Sequence, residues 1–162
     1  MFEIIPAIMP KDFADLQEKV DLVYKHVKTI HVDVMNGTVT HHVNWPFSPE
    51  MEEEFHEITA GKKALPHWKE VDFEVDVMMQ DPEDSLAEWV NAGFHRIVVH
   101  VESTKKFQKI LNEWKGVVKS VQPSVRIQMF VNSSNQSVTA PILCSSWGSL
   151  KLVFREVLLR KL

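Results

Sequence analysis

Five short apolar runs alternate with amphipathic stretches along the chain, and this alternation limits the fold more than any other feature. The runs are FEIIPAIM (2–9), TIHVDVM (29–35), FEVDVMM (73–79), HRIVVHVE (95–102) and VRIQMFVN (125–132). Between them, Asp12 to Val27 carries Phe13, Leu16, Val20, Val23 and Val27 at helical spacing, with Asp12 as a cap. An acidic helix is predicted over 48–60, opened by Ser48-Pro49, and another from Pro82 to Asn91-Ala92, closed by Gly93. Thr104 to Val118 places Phe107, Ile110, Leu111, Trp114 and Val118 on one side. Strand–helix alternation argues for βαβ units and a parallel sheet. Such a sheet is either doubly wound and open or closed into a barrel. The glycine-rich phosphate loop that favours the open form is absent, since the first run ends in Met9-Pro10-Lys11. A full barrel takes roughly 200 residues or more, and the chain has 162.

The second run carries two polar side chains that a buried strand ordinarily avoids. Side chains alternate faces along a strand, so His31, Asp33 and Met35 share one face, just before the Asn36-Gly37 turn. Glu74, Asp76 and Met78 share a face on the third run, and His100 and Glu102 on the fourth. Three successive strands thus present ionisable groups near their C-terminal ends, where α/β folds bind ligands. Taken singly, His-x-Asp is equally a hydrogen-bonded pair at a solvated strand end, and methionines more often pack than function. His26, His41, His42, His56, His67 and His95 fall in helical or loop segments and are expected to be solvated.

The net charge of −4 offers no basic field for nucleic acid or an anionic membrane. No run is apolar for long enough to span a bilayer. A single cysteine, Cys144, excludes an internal disulfide and suits a reducing compartment. With no secretory leader at Met1-Phe2-Glu3, the expected location is cytoplasmic.

In order, IIPAIMPKDFADL, IHVDVMNG, EVDVMMQDPE and IVVHVE resemble four motifs of the ribulose-phosphate 3-epimerases: PSIL-x-x-DF, HVDVMDG, DVHLM-x-x-P and a strand ending H-x-E. FVNSSN is more weakly similar to the family's L-N-P-x-T. The resemblance covers 2–137, five strands of an eight-stranded barrel, and implies a partial (β/α)8 TIM barrel over 1–137 with parallel strands alternating with helices. It further implies metal-dependent inversion of a carbon beside a ketone in a pentulose phosphate, through an enediolate. That reaction needs acid/base groups on two faces and a positive centre for the enediolate oxygens. By resemblance His31, Asp33 and Asp76 are metal ligands, with Asp33 also catalytic. Ala7, Met35, Met78 and His100 fall at substrate-side positions, His100 as an orienter of the metal site. The implied cofactor is a divalent ion: Zn, Mn, Fe or Mg.

The chain departs from the family at telling places. Asp76 stands where the family has its second metal histidine, which makes the site harder and favours Mn²⁺ or Mg²⁺. Ala7 replaces a serine near the substrate, and Asn36 an aspartate. The family's fourth ligand, also its second acid/base, and its phosphate-gripping loops belong to later strands. Residues 138–162 form an atypical tail in which Lys151, Arg155, Arg160 and Lys161 against Glu156 give 145–162 a net charge of +3, leaving −7 for the remainder. Leu150, Val153, Phe154, Val157 and Leu158 fall on one face of a helix there. Back-translated and shifted by one base, suitable codons for the tail spell QFMGIAKVGFQGSPFEE, similar to the family's sixth-strand region; the tail is therefore expected to be frame-shifted. The expectation is a truncated epimerase-like protein, inactive alone, with a homo-oligomer covering its open sheet edges. The alternatives are a phosphosugar barrel with another reaction, or a non-catalytic metal- or partner-binding fragment. Decarboxylase-type barrels, with Asp-x-Lys on a strand, are disfavoured because HVDVM has no such lysine.

Overall fold

The structure, a computed structural model, describes residues 4–106, 108–110, 112, 114 and 126–130. Five parallel strands form one sheet in the order β1-β2-β3-β4-β5. They are β1 (Ala7–Ile8), β2 (Thr29–Met35), β3 (Asp72–Met78), β4 (Arg96–His100) and β5 (Arg126–Phe130). Helices α1 (Phe13–Val23), α2 (Pro49–Thr59) and α3 (Leu86–Asn91) lie between successive strands, and residues 108–110 are helical between β4 and β5. This is the strand–helix repeat of a partial (β/α)8 barrel, with β1 and β5 as the edges of the described sheet. The tail over 138–162 lies outside the described residues, as do Phe107, Leu111 and Val118 of the fourth predicted helix and most of FVNSSN.

Caps and turns explain the element ends. The Asp12 carboxylate accepts the Asp15 N–H at 2.7 Å and starts α1. Pro49 occupies the first turn of α2, where its missing N–H costs nothing. Gly37 and Gly93 adopt φ of 84° and 97°, the left-handed geometry that ends β2 and follows α3.

Several elements are shorter than the residue pattern predicts; α1, expected to reach Val27, ends at Val23. Strand β1 has two residues rather than the eight of FEIIPAIM, because Pro6 and Pro10 flank it and neither can donate to a ladder. The Pro6 carbonyl instead accepts the His31 N–H at 2.9 Å. The helix predicted from Pro82 begins as a 3₁₀ turn, Pro82–Asp84, before α3. Strand β4 ends at His100, and Val101–Ser103 turns away as 3₁₀, with the Ser103 hydroxyl donating to the His100 carbonyl at 2.7 Å. Glu102 is therefore exposed on a turn and does not share a strand face with His100.

The two faces of the sheet differ in character. Ile30, Val32, Val34, Phe73, Val75, Val77, Ile97 and Val99 are all buried on one face. They form a core with Phe13, Leu16 and Val20 of α1, Phe55 and Ile58 of α2, and Leu86 and Trp89 of α3. Each such side chain removed from water contributes about 1.5–3 kcal/mol. Trp89 anchors the helix layer, its ring 4.8 Å from Phe55, 5.7 Å from Phe94 and 6.1 Å from Phe47. The opposite face carries rows of registered residues: Ala7, His31, Glu74 and Arg96, then Asp33, Asp76 and Val98, then Met35 and Met78. In a barrel of this type that face is the interior.

Candidate metal centre

The polar face gathers an imidazole and two carboxylates. One ligand atom each from His31, Asp33 and Asp76 lie within 4.8 Å of one another. The placement follows from strand geometry: His31 and Asp33 are two residues apart on β2, and Asp33 is the register partner of Asp76 on β3. His31 is buried, while Asp33 and Asp76 are half-buried.

The two nitrogens of His31 have different surroundings. Nδ1 lies 2.5 Å from Glu74 Oε1. Nε2 lies 2.8 Å from Asp33 Oδ1, close enough for charge attraction. The angle is not that of a hydrogen bond, so this buried nitrogen has no hydrogen-bond partner. A fixed, buried ring nitrogen flanked by two carboxylates fits a cation ligand.

Electrostatics follow the same layout. Burial acts most strongly on His31 and lowers its pKa, but the Asp33 and Glu74 carboxylates together outweigh it and raise the value from 6.5 to about 9. Glu74 is itself buried, which raises its pKa; His31 and Arg96 overcome this and hold it below the usual glutamate range. Arg96 Nη1 donates to Glu74 Oε2. On the far side, His100 Nε2 lies 2.9 Å from Asp76 Oδ1, and that hydrogen bond raises the His100 pKa against the effect of burial.

At the C-terminal end of the strands, His100 also lines a cavity of about 300 Å³ with Thr38, Val39, Gln80, Glu102 and Ser103. The strand-end loops are tied around it. Asn44 Nδ2 donates to the Asp33 carbonyl at 2.8 Å, and its Oδ1 accepts the Met35 N–H at 2.7 Å. The Gln80 N–H donates to the Thr38 hydroxyl at 2.8 Å.

The sequence model of the ribulose-phosphate 3-epimerase family matches residues 3–136, more than four-fifths of the chain. The chain belongs to the ribulose-phosphate 3-epimerase family. Against curated proteins no match is found. For this family member the structure brings together His31, Asp33 and Asp76, the three residues that the resemblance marks as candidate ligands. Met35 and Met78 pair one row further along the same face, His100 touches Asp76, and Ala7 sits beside His31 on β1.

Strand alternation also put Glu74 on this face, but its bond to His31 and the part played by Arg96 are visible only in the structure. The available signal was the position of Arg96 four residues before His100, hence on the same face of β4. Of the remaining histidines, His26, His41, His42 and His56 are exposed as expected, whereas His95 is half-buried, with Nδ1 3.7 Å from Asp72 Oδ1. His67 is also half-buried, stacked on Tyr24 at 3.6 Å and 2.7 Å from Asp21 Oδ1. Among the described residues no helix is long and apolar enough to cross a membrane.

Proposed function

We propose that His31, Asp33 and Asp76 form a divalent-cation centre serving acid/base chemistry beside the ketone of a pentulose phosphate, with Asp33 as the proton-transferring group. The observation carrying this reading is the convergence of three ligand atoms within 4.8 Å around a buried imidazole nitrogen that has no hydrogen bond. One imidazole with two carboxylates is harder than the family's usual pair of histidines and pair of aspartates. It therefore favours Mn²⁺ or Mg²⁺ over Zn²⁺. A bound cation supplies positive charge for the enediolate oxygens.

The chain's own residues do the rest. Asp33 is half-buried and next to the Met35–Met78 row. Those methionines give the site an apolar margin that limits water around the reacting carbon. His100 orients Asp76 and opens onto the cavity at the strand ends. Asp33 and Asp76 stand side by side on neighbouring strands and address a substrate from one face. A second acid/base on the opposite face is not among the described residues. The chemistry proposed for this set is removal and return of the α-proton on a single face, the part of the reaction that the described residues can carry.

The test is to incubate the purified chain with Mn²⁺ and D-ribulose 5-phosphate in D₂O, following the C3 proton by NMR. Loss of that signal without formation of the epimer is the expected outcome. Net epimerisation overturns the single-face reading. Binding of Mn²⁺ with neither exchange nor inversion leaves a metal-binding module and overturns the catalytic reading.

A further inference from the structure

We propose that Glu74, clamped by Arg96, is a positioning residue that holds the His31 ring by Nδ1 and keeps Nε2 directed at the cation position. The inference rests on the metal-centre reading above and extends it to two residues with no assigned role. His31, Glu74 and Arg96 are successive register partners across β2, β3 and β4. Their side chains run as a chain across the sheet, each step one strand wide. The backbone ladder sets this arrangement, so no loop has to order to form it.

Both Glu74 oxygens are committed, Oε1 to His31 Nδ1 at 2.5 Å and Oε2 to Arg96. The carboxylate therefore cannot rotate away from the ring. The side chains of His31 and Glu74 are 5% and 8% exposed, so water does not compete for either contact. An imidazole with one nitrogen tied has its other nitrogen aimed by the rigidity of the ring. With the proton on Nδ1 donated to Glu74, the Nε2 lone pair is available to a cation.

Charge balance supports the same assignment. Arg96 offsets the charge of Glu74. Arg96 thus allows a buried carboxylate to orient the ring without adding uncompensated negative charge to the site.

The test is Mn²⁺ titration of the full chain by calorimetry, comparing wild type with Glu74→Gln and Arg96→Lys, alongside ¹⁵N NMR of the His31 ring in the Zn²⁺-loaded wild type. The expected result is Mn²⁺ binding about 10–100-fold weaker in Glu74→Gln, the range for lost outer-shell partners. Arg96→Lys is expected to weaken it less, because the cation remains while the guanidinium fork is lost. The NMR spectrum is expected to show Nδ1 protonated and Nε2 bound to metal. Unchanged affinity in a folded Glu74→Gln overturns the inference, even if its stability falls, because a purely structural ion pair behaves in that way. If Glu74→Gln does not fold, the wild-type spectrum decides, and a proton on Nε2 overturns the proposal. Wild type that binds no Mn²⁺ overturns the metal-centre reading itself, and this inference with it.

Discussion

Asp33 and Asp76 are register partners on adjacent parallel strands, their side chains on one face and each within 4.8 Å of the His31 ligand atom. Two carboxylates this close repel unless positive charge is shared between them. His31, with its pKa raised to about 9, supplies it beside Asp33, and His100 hydrogen-bonds Asp76 on the other side. A divalent cation can take over that task, so binding should be linked to stability. At a Mn²⁺ concentration 100 times Kd the folded state gains about 2.7 kcal/mol. The melting temperature should rise accordingly and fall back on adding EDTA. Asp33→Asn should abolish the rise, and an undiminished metal response in that variant would remove Asp33 from the ligand set.

Asp76 is the candidate ligand that most distinguishes this site from its family's pattern. Replacing it with imidazole should soften the site. Asp76→His is expected to shift the ratio of Zn²⁺ to Mn²⁺ affinity towards zinc by about tenfold or more, following ligand softness. Competition titrations of the two ions measure it. An unchanged ratio would mean that Asp76 does not touch the ion.

The pH dependence of metal-free stability has a defined sign. Folded His31 holds its proton more tightly than the unfolded chain does, with a pKa of about 9 against 6.5. Its contribution is therefore complete below about 6.5 and is lost as pH rises through about 9, a change on the order of a few kcal/mol. His100, also raised, adds in the same direction. Glu74 is depressed, so its contribution is present above 4.5 and disappears as pH falls through its lower folded value. Urea midpoints in EDTA should decline from pH 6.5 to 9.5, and His31→Gln should flatten that decline. A level wild-type profile over the interval would show that His31 is not charged in the folded chain.

Gly37 tests the turn that follows β2, the strand carrying His31 and Asp33. Its φ is 84°, and a Cβ placed there would lie 3.1 Å from Val43 Cγ2. Gly37→Ala should destabilise the protein by about 1 kcal/mol or more, through left-handed strain together with that contact. The loop that carries Asn44 would shift with it, so Mn²⁺ affinity should fall as well. Equal urea midpoints for the two proteins would argue against the turn.

Much of the scaffold was legible in one dimension because its signals are local. Runs of β-branched residues, the Asp12 cap, Pro49 and the glycines after strands and helices each act within a few residues. Alternation places His31 with Asp33, and Glu74 with Asp76 and Met78, on one face; the choice of His31, Asp33 and Asp76 as candidate ligands came from the family resemblance. The short β1, the 3₁₀ start before α3 and the turn after His100 were less legible. There, Pro6, Pro10 and Ser103 direct hydrogen bonds to partners that residue patterns do not specify.

The residue order by itself determined the alternation of elements, the polar face of the strands and the chemical character of a hard, imidazole-plus-carboxylate site. Only the tertiary structure decided which polar residues meet. Register between strands places Asp33 opposite Asp76 and His31 opposite Glu74, with Arg96 behind. Register arises from the packing of whole strands against α1, α2 and α3, a cooperative energy spread over many buried side chains. No pair of residues encodes it alone, and so the tie from Arg96 through Glu74 to His31 emerges only once the sheet has formed.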